Sequence, residues 1–192
     1  MSKYTEEQDD VQFSEPILAQ KQVRCGISFV EKVEWKNKHD GQTYDACKVT
    51  LTISDDSVKT EHADAKPKLT IEDQFNIVQY PYMDKKTGTI KKLGKTKLYQ
   101  LEQAFGFDPR FQVNGQPVEP FVTKNGNKVA PKIEGVKRVI NPEFFEAYFT
   151  SNGDPVIDNW IGKTVYADIE VETSEQFGSK NVIARYTKAP LA

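Results

Sequence analysis

Cysteine and histidine are scarce in this chain, two of each among 192 residues, and that scarcity removes several chemistries together. Cys25, Cys47, His39 and His62 match no C-x₂₋₄-C or H-x₃₋₅-H unit, so no zinc site is expected. Both cysteines lie in alternating apolar stretches and read as buried, reduced thiols rather than a disulfide. No serine or cysteine sits in an activated context, and the chain reads as non-enzymatic, with no cofactor. Long apolar runs are missing too. Nothing approaches the roughly 20 residues needed to cross a bilayer. The start, MSKYTEEQDD, has no apolar core of a secretory signal, so a cytoplasmic protein without a membrane role is expected. A phosphate-binding loop fails on spacing: in GTIKKLGKT (88–96) the position that should hold the first glycine is Thr89.

What is present is an uneven charge distribution. The chain carries a formal −2, with 28% charged and 38% hydrophobic residues. Residues 80–100, YPYMDKKTGTIKKLGKTKLYQ, set six lysines against one aspartate, a local +5, and leave −7 for the rest. Lysines neutralise phosphates and tyrosines offer faces on which bases stack, so this segment suits a single nucleic-acid strand. The plainer alternative is a lysine-rich solvated hairpin.

Length and composition fit one domain with elaborations. Residues 1–20, with Glu6, Glu7, Asp9, Asp10 and Glu15, read as a flexible acidic arm. A domain follows over 21–188, and 189–192 form a tail. Apolar residues on odd positions from Val23 to Trp35 (Val23, Cys25, Ile27, Phe29, Val33, Trp35) predict a first strand facing the core on that phase. Cys47, Val49, Leu51 and Ile53 predict a second strand. Leu69, Ile71, Phe75 and Ile77 predict a third, running from Lys68 to about Tyr80, with an acidic linker (54–67) before it. Leu98, Leu101, Ala104 and Phe105 form a helical stripe closed by Gly106. Residues 107–154 read as an insertion. It holds a hairpin turning at Asn125-Gly126 and a helix capped by Asn141-Pro142, bearing Phe144, Phe145, Tyr148 and Phe149 and ending near Asn152-Gly153. Two closing strands follow, Val165–Val171 and about Asn181–Thr187. Trp35, Phe75, Trp160 and Tyr186 read as core, and Tyr80, Tyr82 and Phe177 as exposed.

Three strands, a helix and two closing strands predict a mainly β fold: a five-stranded OB-like Greek-key barrel with a helix between strands three and four. Such barrels bind oligonucleotides on the outer face of strands two and three and on two loops. Here those positions are Lys48, Thr50 and Thr52, then Gln74, Asn76 and Tyr80. The loop after strand one adds Lys36, Lys38 and Tyr44, and the last loop adds Phe177 and Lys180. With Tyr82, Lys85, Lys86, Lys91, Lys92 and Lys95 of the basic segment, they form an expected nucleic-acid site, aromatics among cations with few acids.

Two stretches, KTKLYQLEQAFGFDP (95–109) and NWIGKTVYADIEVETSEQFGSKNVIARY (159–186), carry a resemblance to phage-encoded single-stranded DNA-binding proteins with an OB-fold. The first resembles the inter-strand helix, the second the closing hairpin. The likeness covers roughly residues 20–106 and 155–188. It implies binding of single-stranded DNA (or RNA) in replication, recombination or repair, with replication or recombination proteins as partners. Such proteins often end in an acidic tail that docks partners. This chain ends in YTKAPLA and carries its acids at residues 6–15, which moves any such role to the N-terminus. Two other classes remain open. One is a protein-interaction or virion component using the basic hairpin with Phe121, Phe144 and Phe145. The other is a metal-dependent nuclease using Asp55-Asp56 and Glu72-Asp73.

Overall fold

A computed structural model describes residues 14–78, 80–84, 86–93 and 96–190, with the backbone path alone for 80–82 and 90–93. The chain is mainly β. Five strands, β1 (Gln20–Lys36), β2 (Thr43–Ile53), β3 (Thr70–Asn76), β4 (Thr164–Ser174) and β5 (Gly178–Thr187), form one antiparallel sheet in the order β5-β4-β1-β2-β3. No ladder joins β5 to β3 among the described residues, so the sheet is not a closed barrel. The two edges nevertheless meet through side chains. Tyr186 of β5 donates its hydroxyl to Asp73 Oδ2 of β3 at 2.8 Å. Helix α1 (Thr96–Ala104) sits against both edges: Lys97 pairs with Asp73, and Gln100 Oε1 accepts from Tyr186 N–H at 2.9 Å. Burial and the facing Asp73 push the Tyr186 hydroxyl well above its ordinary range, keeping it a donor.

Strict alternation along β1 ends at a bulge. Ile27 pairs with Leu51 and Phe29 with Thr50, leaving Ser28 as an extra residue. One extra residue reverses the faces of everything beyond it. Val23, Cys25 and Ile27 therefore point inward, then Val30 takes over the core position at 1% exposure while Phe29 turns outward at 48%. The odd-phase expectation holds before Ser28 and is overturned after it.

The core lies between the sheet's inner face and the segment 105–160. Trp160 is fully buried, with Phe75, Phe105, Tyr148 and Phe149 around it at centroid distances of 5.2–6.0 Å, and its indole N–H donates to Tyr148 O at 2.8 Å. Two short helices supply most of this wall, α2 (Pro142–Tyr148) and α3 (Ile157–Trp160). Asn141 caps α2 as expected, its Oδ1 accepting from Glu143 N–H at 2.9 Å, but the helix stops at Tyr148 rather than near Asn152-Gly153. Phe144, Tyr148 and Phe149 of residues 107–154 thus belong to the core. The turn at Asn125-Gly126 links the expected hairpin, Phe121–Val122 with Lys128–Val129. A three-stranded sheet of Lys137–Val139, Arg110–Val113 and Gln116–Val118 adds to it.

The expected arm, residues 1–20, is described only in part. Residues 1–13 lie outside the described residues, as do 191 and 192 of the tail. Residues 14–19 are docked. Ser14–Glu15 pairs with Lys66–Pro67 of the acidic linker, and Ile17 is fully buried. The Asn181 side chain accepts from Ile17 N–H and donates to its carbonyl, both at 2.8 Å. A single apolar side chain held by a bidentate amide outweighs the local charge.

Cys25 and Cys47 are buried and free, and burial pushes both thiols up to about 12, with Asp55 and Glu31 adding to it respectively. They stay protonated and unreactive at neutral pH.

Candidate nucleic-acid interface

Beyond the bulge, register alone places four rows of side chains on the outer face of β1, β2 and β3. Phe29, Thr50 and Glu72 form the first; Glu31, Lys48 and Gln74 the second; Val33, Ala46 and Asn76 the third; Trp35 and Tyr44 the last. Alternation by two then puts consecutive rows about 7 Å apart, so Phe29 and Trp35 stand about 20 Å apart on one surface.

Trp35 is the main departure from its expected place. It is half-buried on the outer face, its Nε1–H donating to Asn76 Oδ1 at 2.8 Å and its ring 5.9 Å from that of Tyr44. Phe75, Trp160 and Tyr186 are core, as expected. The Tyr44 hydroxyl donates to Asp40 Oδ2 at 2.5 Å, a bond that holds its pKa above the ordinary value. Phe29 and Trp35 are the aromatic residues that strict alternation hides. The signal for them is the adjacent apolar pair Phe29-Val30, which no uninterrupted period of two can bury on one side.

The face is less cationic than expected. Lys48 Nζ lies 3.0 Å from Glu72 Oε1 and 3.9 Å from Glu31 Oε1. One lysine between two carboxylates leaves the middle of the face at −1. A phosphate would gain nothing there.

At one margin, Lys36 at the end of β1 and Lys38 in the β1–β2 loop are exposed, with no ion pair among the described residues. The basic segment follows β3 in the chain. The chain bends after Ile77, so Tyr80 does not continue β3 as expected. It starts a separate hairpin, Tyr80–Met83 with Ile90–Leu93, in which Tyr82 is opposite Lys91 and Pro81 opposite Lys92. Its turn is closed by Asp84 N–H to Thr89 O at 2.9 Å and Gly88 N–H to Asp84 O at 2.8 Å, with Gly88 at φ +66° where a side chain would be strained. Lys86 is exposed in this turn. Lys85 and Lys95 lie outside the described residues. Lys97 is committed to Asp73 and leaves the cationic set.

The β4–β5 turn is not part of the same patch. Ile169 already pairs with Gln20 at the start of β1, and the turn projects past it, whereas Lys36 ends β1. Phe177 is exposed at 80% there, as expected, and Lys180 pairs with Glu172 at 3.6 Å.

Three of the four carboxylates suggested for a nuclease are already engaged. Asp73 holds Lys97 and Tyr186, Asp55 accepts from Ser57, and Glu72 holds Lys48. No three His, Cys, Asp or Glu residues among those described are placed to hold a metal ion. No helix among them is long and apolar enough to cross a membrane.

Compared with protein-family models, with curated proteins and with solved structures, the chain matches none.

Proposed function

We propose that this chain binds single-stranded nucleic acid, DNA in the first instance, on an OB-like fold and serves replication, recombination or repair. The observation that carries the reading is the bulge at Ser28, which turns Phe29 and Trp35 onto the face that already holds Tyr44, Lys48, Thr50 and Asn76. An aromatic-bearing sheet face with lysines at its margins is the combination that single strands require, since bases stack and phosphates need counter-charge. The OB-like reading is supported by the strand order β5-β4-β1-β2-β3 and by α1 bridging the β5 and β3 edges. Double-stranded nucleic acid suits this surface less, because its bases are not free to stack on side chains.

The lysine hairpin supplies the test of mechanism. Each phosphate neutralised on a single strand adds about 0.7 to the negative slope of log affinity against log salt. Replacing Lys86, Lys91 and Lys92 by Gln is therefore expected to shallow that slope by about 2 and to weaken binding at low salt. An unchanged slope and affinity would remove the hairpin from the mechanism.

A second reading, a protein interface, is favoured by one feature. The hairpin at Phe121–Val122 and Lys128–Val129 leaves Phe121 63% and Val122 56% exposed. Phe144 is fully buried and belongs to the core, and Phe145 is half-buried, so neither carries the interface once expected of them. A defined oligomer or complex lost on Phe121→Ser, together with no single-strand binding at low salt, would favour this reading over the first.

A further inference from the structure

The rows of the outer face do not stop at Phe29. From the way they continue, we infer a second anchor for the bound strand, in which Arg24 takes a phosphate and Tyr166 a base. The strand then runs along β1, from the Lys36 end over Phe29 and Gly26 to this anchor. The inference rests on the proposed single-strand binding and gives that strand its path and length.

Register builds the anchor. Toward the start of β1 the next row is Thr70, Thr52, Gly26 and Thr164, and the one beyond it is Arg24, Tyr166 and Thr187. Their neighbours along β1 and β4, Val23, Cys25, Ile27, Val165 and Ala167, are buried, so these rows face outward. Arg24 and Tyr166 are directly opposite each other, which sets their Cβ atoms about 5 Å apart. Arg24 is exposed, with no ion pair among the described residues, and Tyr166 is half-buried. The nearby acids are engaged elsewhere. Asp168 accepts from Gln22 N–H at 3.0 Å and from Arg185 Nε–H at 2.6 Å, and Asp55, just past β2, accepts from Ser57. A guanidinium free to meet a phosphate, next to an aromatic face, offers a single strand both of the contacts it needs.

Charge and space set the path. Lys48, Glu31 and Glu72 leave the middle of the face at −1, whereas cations without ion pairs stand at its two ends, Lys36 and Lys38 at one and Arg24 at the other. At the rise of a strand these ends are roughly 35 Å apart. Between Phe29 and Arg24 lies Gly26, a glycine in the interior of a strand. Its φ is not left-handed, the bulge is at Ser28, and a Cβ added at Gly26 would meet nothing within 4 Å. Neither backbone nor packing thus requires a glycine there, and a close approach by another backbone is what such a position admits. Flanked by Thr52 and Thr164, it forms a low, uncharged saddle between the two aromatic stations.

The test is fluorescence titration of the full chain with oligo-dT of four and of twelve nucleotides, lengths of about 14 and 40 Å when stacked. It is repeated with the Arg24→Gln/Tyr166→Leu protein, in which leucine keeps the buried part of the side chain, and with Gly26→Val. Thermal unfolding checks that each variant folds. In the double variant the 12-mer is expected to bind about tenfold more weakly, with a salt slope shallower by about 0.7, while the 4-mer stays within about twofold. Gly26→Val is expected to weaken the 12-mer without lowering the unfolding temperature. An unchanged 12-mer affinity in either variant, or an equal loss for both lengths, would overturn the inference while leaving single-strand binding intact. No binding of either oligonucleotide by the parent protein would overturn the proposed function itself, and this inference with it.

Discussion

Replacing Phe29 and Trp35 together by alanine is expected to weaken single-strand binding by about a hundredfold while leaving the salt slope unchanged. Base stacking on an aromatic side chain contributes about 1–3 kcal/mol per base, and a factor of ten corresponds to about 1.4 kcal/mol. Neither ring carries charge, so the electrostatic part of binding is expected to stay as it was. Phe29 makes the cleaner single test, because nearly half of it is exposed and its loss opens no cavity. Trp35 also holds Asn76, so its removal carries a modest stability cost that thermal unfolding would register. Titration of the two single variants and the double variant measures this. Affinity within twofold of the parent would remove the sheet face from the binding account.

The second large effect concerns stability. Glu102 on α1 is completely buried, accepts from Asn141 N–H at 2.9 Å and pairs with Arg138 at 3.1 Å. Arg138 in turn donates to Tyr99 O at 3.1 Å and lies over the Tyr99 ring at 4.4 Å. One carboxylate thus ties α1 to the segment leading into α2. Glu102→Ala leaves a cavity, a buried amide and a guanidinium without their acceptor, and is expected to cost about 3 kcal/mol in urea unfolding. Glu102→Gln keeps an acceptor for Asn141 and is expected to cost less than about 1 kcal/mol.

Ionisation of Glu102 works against the fold. Burial raises its pKa, and the Asn141 amide and Arg138 offset this only in part. A carboxyl whose pKa is higher folded than unfolded contributes stability in full below the unfolded value, and loses it as pH rises through the folded one. The stability advantage of the parent over Glu102→Gln should therefore shrink as pH rises from the acid side through the Glu102 titration. A difference that grows with pH would contradict this sign. A Glu102→Ala cost below about 1 kcal/mol would show that the tie is dispensable.

Much of the strand framework was legible from periodicity. β2 and β3 alternate cleanly because one face of each is buried, whereas the closing pair slips register at Asp168/Ile169, and the helix at residues 96–104 announced itself by Leu98 and Leu101 before Gly106. What periodicity could not reveal was the extra residue at Ser28. A bulge changes no composition, yet it moved Trp35 from an expected core position to the candidate face and brought Phe29 with it. Local charge misled in two places. Residues 14–19 belong to an acidic stretch but are held by the burial of Ile17, and Lys48 reads as a phosphate contact until Glu31 and Glu72 are seen beside it across two other strands. Both outcomes depend on partners more than 15 residues away in sequence, which no local pattern encodes. The same holds for Lys97, whose partner Asp73 removes it from a run of lysines that looks continuous.

One titration tests the central claim most directly: intrinsic fluorescence of the full chain against a single-stranded oligonucleotide and its duplex, each at low and at moderate salt. The account expects the single strand to bind more tightly than the duplex, and its affinity to fall as salt rises. Failure to bind the single strand at low salt, or tighter binding of the duplex, would contradict it.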